Sequence, residues 1–126
     1  MREKILFIDD DATVLLIGEM MLKDLGYDVI TSDSGVAGLA LLSKNIDLIL
    51  LDIMLPDISG IDVLKLIKEN EEVKNIPVIM QTGIQDSNEI DEAYKLGAVC
   101  VLLKPYNKND LKDKIGVVLD GVKIVD

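Results

Sequence analysis

Short apolar runs alternate with helix-like segments five times along this chain, and that alternation narrows the fold more than any other feature. The runs cover 4–8 (KILFI), 28–31 (DVIT), 46–51 (IDLILL), 77–81 (PVIMQ) and 99–103 (VCVLL). Three of them are continuously apolar, as expected for strands covered on both faces. The intervening segments, 12–25, 35–43, 60–69, 88–96 and 108–120, read as helices. Five βα units in a row predict an α/β fold, a parallel sheet with helices on both sides.

The punctuation agrees with this reading. Gly26 follows Leu25 and Gly97 follows Leu96, each just past a helix whose last turn carries Lys23 or Lys95. Ser34, Ser59 and Ser87 stand where N-caps belong. On the first helix, Val14, Ile17, Gly18, Met21 and Leu25 form a core stripe at helical spacing, with Leu16 and Met20 on the other side. On the last, Leu111, Ile115, Val118 and Val122 form the stripe, and Val117 and Ile124 fall outside it. The fourth has a narrow stripe of Ile90, Ala93 and Tyr94. No linker, repeat or low-complexity stretch interrupts the pattern, so residues 1–126 are expected to form one domain.

Composition removes several classes of function. Thirteen Lys and Arg against 23 Asp and Glu give a net charge of −10, which nucleic acid and anionic membrane would repel. Cations and basic protein patches suit this surface better. The absence of His excludes His-based acid–base catalysis and Ser–His–Asp chemistry; with a single Cys, Cys100, it also excludes an ordinary zinc site and any internal disulfide. A reducing cytoplasm fits. The opening MREKILFIDD lacks a signal-peptide core, and no apolar run approaches the ~20 residues of a membrane span.

In an open parallel sheet, function sits beyond the carboxyl ends of the strands. There the sequence places Asp9, Asp10 and Asp11 after the first strand, Asp52 after the third, Thr82 after the fourth, and Lys104 then Pro105 after the fifth. A helix N-terminus would account for one acid, but Asp9 and Asp10 follow a strand directly. Clustered carboxylates repel one another. A hard divalent cation with oxygen ligands, Mg²⁺ above all, would offset that repulsion. Lys104 can neutralise one charge or bind an incoming anion, and Thr82 offers that anion a hydroxyl. A carboxylate nucleophile, a metal, a Lys and a hydroxyl suit phosphoryl transfer onto Asp. Pro105 is a candidate cis proline that would aim Lys104 inward.

With these residues in place, the chain resembles the receiver domain of two-component response regulators, the chemotaxis-type phosphoacceptor fold. The resemblance spans essentially the whole chain. It rests on Ile5-Leu6-Phe7-Ile8-Asp9-Asp10-Asp11, on Leu50-Leu51-Asp52-Ile53-Met54-Leu55-Pro56 with Gly60 following, on Gln81-Thr82-Gly83 and on Leu103-Lys104-Pro105. It implies a doubly wound (βα)5 flavodoxin-like domain with sheet order 2-1-3-4-5. By position it implies that Asp52 is the phosphoacceptor and that Mg²⁺ (or Mn²⁺) is held by Asp9, Asp10, Asp52 and the Met54 carbonyl. Lys104 would pair with the Asp52 carboxylate, then with its phosphoryl group. Thr82 would be the switch hydroxyl, and Asp11 a helix-start residue. The donor would be a histidine kinase or a histidine phosphotransfer protein, docking on Leu16 and Met20. Output would pass to a target protein or a further domain, and Val117 and Ile124 would suit a homodimer face. Such a domain assists its own phosphorylation and dephosphorylation without being an enzyme in the ordinary sense.

Three positions depart from the family pattern. Val101 stands where many relatives carry an aromatic residue that swings inward, so a switch must use Thr82, the following loop and the fourth helix. Gly83 replaces a common Ala, which loosens that loop, and Ser59 replaces the usual Asp or Asn. Other chemistries compete less well. Asp9-Asp10-Asp11-Ala12-Thr13 also fits the nucleophile motif of haloacid-dehalogenase-type phosphatases, with Asp9 as nucleophile and Asp11 as acid, but it leaves Asp52 without a role. An FMN carrier would have to place its phosphate against three aspartates. A pseudo-receiver, a plain interaction module, would bind no Mg²⁺ and accept no phosphoryl group.

Overall fold

A computed structural model describes residues 2–83 and 87–120. Its elements are β1 (Lys4–Ile8), α1 (Ala12–Asp24), β2 (Asp28–Ser32), α2 (Gly35–Ala40), β3 (Leu48–Asp52), α3 (Gly60–Glu69), β4 (Val78–Thr82), α4 (Ser87–Lys95), β5 (Cys100–Leu103) and α5 (Lys108–Leu119). All strand pairs are parallel, in the order β2-β1-β3-β4-β5. This is the doubly wound (βα)5 flavodoxin-like architecture.

Side-chain alternation divides the core into two layers. Leu6, Ile8, Ile49, Leu51, Val78 and Met80 face one side of the sheet, where Val63, Leu64, Ile67 of α3 and Ala93 of α4 cover them. Ile5, Phe7, Leu48, Leu50, Ile79, Cys100 and Leu102 face the other, under Leu22 of α1 and Leu111 and Ile115 of α5. The same parity, carried past the strand ends, sends Asp9, Asp52, Gln81 and Lys104 to the α1/α5 side.

Local signals set the element ends. Asp11 caps α1, its Oδ1 accepting from the N–H groups of Thr13 (2.9 Å) and Val14 (3.2 Å). Ser34 and Ser59 cap α2 and α3 through the N–H groups of Ala37 and Asp62, each at 3.1 Å. Gly26 (φ 98°) and Gly97 (φ 105°) follow α1 and α4 in the left-handed conformation that stops a helix.

Four expectations change. The second helix ends at Ala40 rather than at 43, because the N–H groups of Leu41 and Leu42 turn back to Gly38 and Leu39, three residues away, and tighten the last turn. The third strand starts at Leu48, since Asp47 is occupied with Lys4: its N–H reaches the Lys4 carbonyl (2.8 Å) and its Oδ2 the Lys4 N–H (2.7 Å). Ile17 is 51% exposed; α1 turns Gly18 and Leu22 to the sheet instead, Gly18 lying flat on the Phe7 ring. Ser87 is the first residue of α4, not its cap. Val122 and Ile124 lie outside the described residues.

Gly60 carries the tightest approach near the site. A Cβ there would stand 2.0 Å from the Asp52 carbonyl oxygen and 2.7 Å from the Ile53 Cα, both backbone atoms, and the Gly60 N–H bonds the Ile53 carbonyl at 2.8 Å. Gly60→Ala should therefore lower the urea midpoint by the equivalent of ~2 kcal/mol or more, the range of an overpacked core. Gly116→Ala on α5, with nothing within 4 Å, should raise stability by up to ~1 kcal/mol.

Candidate functional site

The site forms where β1, β3, β4 and β5 end together. Asp9 follows β1 with no exposed surface, and Asp52 is the last residue of β3, 3% exposed. Asp10 is exposed beside them. Carboxylate oxygens of Asp9, Asp10 and Asp52 lie within 4.8 Å of one another. Lys104, one residue past β5, reaches back over them: its Nζ is 2.6 Å from Asp9 Oδ2 and 3.0 Å from Asp52 Oδ2. The Lys104–Pro105 peptide is cis.

Backbone groups hold the acids in place. The Asp11 N–H donates to Asp9 Oδ1 (2.9 Å) and the Met54 N–H to Asp52 Oδ1 (3.2 Å). Met54 thus sits against the Asp52 carboxylate with its side chain turned outward. Thr82 ends β4, is buried, and its carbonyl accepts from the Lys104 N–H at 2.8 Å. Asp9, Asp10, Asp52, Met54, Thr82 and Lys104 therefore share one sheet edge, while Asp11 is engaged as the α1 cap.

Burial is the main cause that pushes the Asp52 carboxyl up to about 6; the Lys104 hydrogen bond and charge and the Met54 N–H oppose it, and the Asp9 charge adds to it. Burial pulls the Lys104 ammonium down, but its bonds to Asp9 and Asp52 together win and raise it above its ordinary value. The donor set is all carboxylate oxygen, in a cluster with more negative charge than one ammonium can balance. That fits a hard divalent cation.

Three functional-looking contacts escape sequence reasoning. Gln81, fully buried in β4, donates from Nε2 to Asp9 Oδ2 at 3.3 Å. Tyr106 donates its hydroxyl to Gln81 Oε1. Burial raises the Tyr106 hydroxyl above the ordinary phenol range, with the Asp9 and Asp52 charges adding to it. Asp57, in the loop after Asp52, receives the N–H groups of Gly35 (3.0 Å) and Val36 (2.8 Å), which hold its carboxyl below the usual range and tie that loop to α2. A polar residue inside an apolar strand was the one available signal, and it marked Gln81.

Comparison with known proteins agrees with this geometry. The response regulator receiver domain model matches residues 5–116. This chain belongs to that family. Among curated relatives, chemotaxis protein CheY of Pseudomonas aeruginosa is 34% identical over 121 residues, covering 94% of this chain and 98% of that protein. Transcriptional regulatory protein CpxR of Escherichia coli is 37% identical over 118 residues, covering 92% of this chain but 49% of that longer protein. A CheY-like receiver domain from Methanospirillum hungatei superposes with a TM-score of 0.90 at 30% identity, covering 96% of both chains. Receiver domains are phosphoacceptor domains rather than ordinary enzymes, and the acidic triad is consistent with the divalent-cation site typical of them. No helix among the described residues is long and apolar enough to cross a membrane.

The raised Asp52 carboxyl sets a pH dependence. A carboxyl with a folded-state value above its unfolded one favours the folded state at low pH and loses that contribution as pH rises from about 3.8 through about 6. Asp52→Asn lacks this loss. In metal-free buffer, its stability relative to wild type should climb between pH 4 and 6 and then level off, as read by urea unfolding at a series of pH values.

Proposed function

We propose that this receiver domain, spanning residues 1–126, takes a phosphoryl group onto Asp52 from a phosphohistidine in a Mg²⁺- or Mn²⁺-dependent reaction, and that the modification changes its partner-binding surface. The observation that carries this reading is the convergence of Asp9, Asp10 and Asp52 with the Lys104 ammonium on one sheet edge.

Each residue has a role that its position supports. Asp9, Asp10, Asp52 and the Met54 carbonyl would hold the cation, which would supply positive charge for the oxygens of the transferring group. An Asp52 carboxylate oxygen forms the new bond to phosphorus as the donor's P–N bond breaks. The electron pair of that bond leaves with the imidazole. The Met54 N–H fixes Asp52 Oδ1 while Lys104 holds Oδ2, so the nucleophile is oriented before the donor arrives. Lys104 then moves with the charge onto the phosphoryl oxygens, and Thr82 offers them a hydroxyl. Those contacts exist only after modification, so they bias a two-state equilibrium toward the arrangement that makes them.

The donor's docking place follows from α1. Leu16 (62%), Ile17 (51%) and Met20 (63%) are exposed, and Ile17 lines a groove together with Lys104, Pro105 and Tyr106, so α1 offers an apolar face that suits the helices of a histidine kinase or phosphotransfer protein. Output passes to a target protein or an attached domain. The acidic surface disfavours direct binding to nucleic acid, and a cytoplasmic setting suits a soluble phosphodonor.

Incubation with acetyl phosphate and Mg²⁺ should add a single phosphoryl mass to the intact protein. Asp52→Asn, or chelation of the cation, should abolish it. An adduct that persists in Asp52→Asn, or that forms equally well with EDTA, would refute the assignment.

A further inference from the structure

A polar pair, the buried Gln81 and the half-buried Tyr106, adjoins the carboxylate cluster and has no part in the phosphoryl transfer described above. Gln81 lies in β4 directly beside Asp52 of β3, in step with Ile79 and hence on the α1/α5 side. With no exposed surface, its amide must find partners within the protein, and an unmade hydrogen bond there costs about 1–3 kcal/mol. Both ends are satisfied. Nε2 reaches across β3 to Asp9 Oδ2 at 3.3 Å, and Oε1 accepts the Tyr106 hydroxyl.

The chemistry of these groups fixes the direction of the chain of bonds. An ionised carboxylate only accepts, so the NH₂ end of the amide must face Asp9. The Tyr106 hydroxyl, by donating to Oε1, holds the amide that way round. Without it the amide could turn and set an oxygen against the carboxylate. Asp9 is thereby held from three directions: the Asp11 N–H on Oδ1, and Lys104 and Gln81 on Oδ2. Lys104 is shared with Asp52, so among the described residues Gln81 provides the one neutral side-chain contact given to Asp9 and not to Asp52.

We propose that Tyr106 and Gln81 are positioning residues that orient the Asp9 carboxylate for the divalent cation. This rests on the phosphoacceptor reading insofar as Asp9 is taken as a ligand of that cation. The Tyr106 ring also forms one wall of an apolar groove of about 400 Å³, with Val14, Ile17 and Met21 of α1 opposite. Coupling between two sites is mutual. A relay that helps Asp9 hold the cation must also let the cation steady Tyr106 in the groove.

Mg²⁺ titrations of the wild-type chain, Tyr106→Phe, Gln81→Met and the double variant test this by calorimetry, with the side-chain amide resonances of Gln81 followed by NMR in the wild type and Tyr106→Phe. Both substitutions keep the volume of the side chain, and melting temperatures measured without metal report any loss of folding separately. Each single variant should bind Mg²⁺ about tenfold more weakly, at the lower end of what losing such an outer-shell contact costs. The double variant should bind no more than twofold more weakly than Gln81→Met, because both act through one bond to Asp9. The Gln81 amide resonances should shift with Mg²⁺ in the wild type and less in Tyr106→Phe. Affinities within twofold of wild type in both single variants, or losses that add in full in the double variant, would overturn the proposal. If the wild type takes up Mg²⁺ and phosphoryl normally while the variants match it, the relay alone fails. If the wild type binds no Mg²⁺, the relay and the phosphoacceptor reading fall together.

Discussion

Asp9 and Asp52 are buried carboxylates on neighbouring strands, and one ammonium lies between them. Two like charges this close in a partly dry site repel strongly, and neither can escape, because each continues a strand of the core. Lys104 is the described group that offsets them from within the fold. Its arrival depends on β5 lying beside β4 and on the chain turning back at Lys104–Pro105, where the Lys104 N–H is pinned to the Thr82 carbonyl. The sheet order is thus tied to the site. Were β5 elsewhere, the acids of β1 and β3 would face each other without a cation from the chain.

The balance remains incomplete, and that incompleteness has consequences. One ammonium stands against three carboxylates, and burial still holds the Asp52 carboxyl up near 6. The cluster is therefore electrostatically unsatisfied in a specific direction, toward added positive charge. A divalent cation fits that demand. A carboxylate in a fully neutralised pocket would have no comparable appetite for the metal and would be a poorer nucleophile for it.

Much of this was legible in the residues themselves. β1 and α3 have the bounds expected from the apolar pattern, and Asp9, Asp52, Thr82 and Lys104 lie at one sheet edge because Asp52 and Thr82 end strands of a parallel sheet and Asp9 and Lys104 directly follow two others. What resisted reading was what depends on helix rotation or on distant partners. Ile17 and Leu22 differ by little more than one turn, and the side of α1 that faces the sheet is the one where Gly18 lets the helix approach the Phe7 ring, a contact between distant parts of the chain. Asp57 caps α2 from 21 to 22 residues away, a pairing no local spacing encodes. Gln81 stood in plain view inside an apolar strand, but its partners Asp9 and Tyr106 come from two other parts of the chain.

The β5 position lacking an aromatic side chain has a substitute arrangement of its own. Val101 packs into the α3/α4 layer, and its backbone N–H donates to the hydroxyl of Tyr94, which α4 lays over the strand, at 3.2 Å. An aromatic ring therefore still sits at this edge, but it is carried by the helix rather than by the strand. Tyr94 is half exposed, and a neutral hydrogen bond of this kind contributes only about 0.5–1.5 kcal/mol net, since water replaces it when it breaks. Ala93 is the only fully buried anchor α4 otherwise offers among its described residues. With one small side chain fully buried among its described residues, α4 is anchored more lightly than α3, which buries Val63, Leu64 and Ile67, and contacts of a few kcal/mol, such as new bonds from Thr82 and Lys104 to a modified Asp52 would supply, are on the scale to shift it.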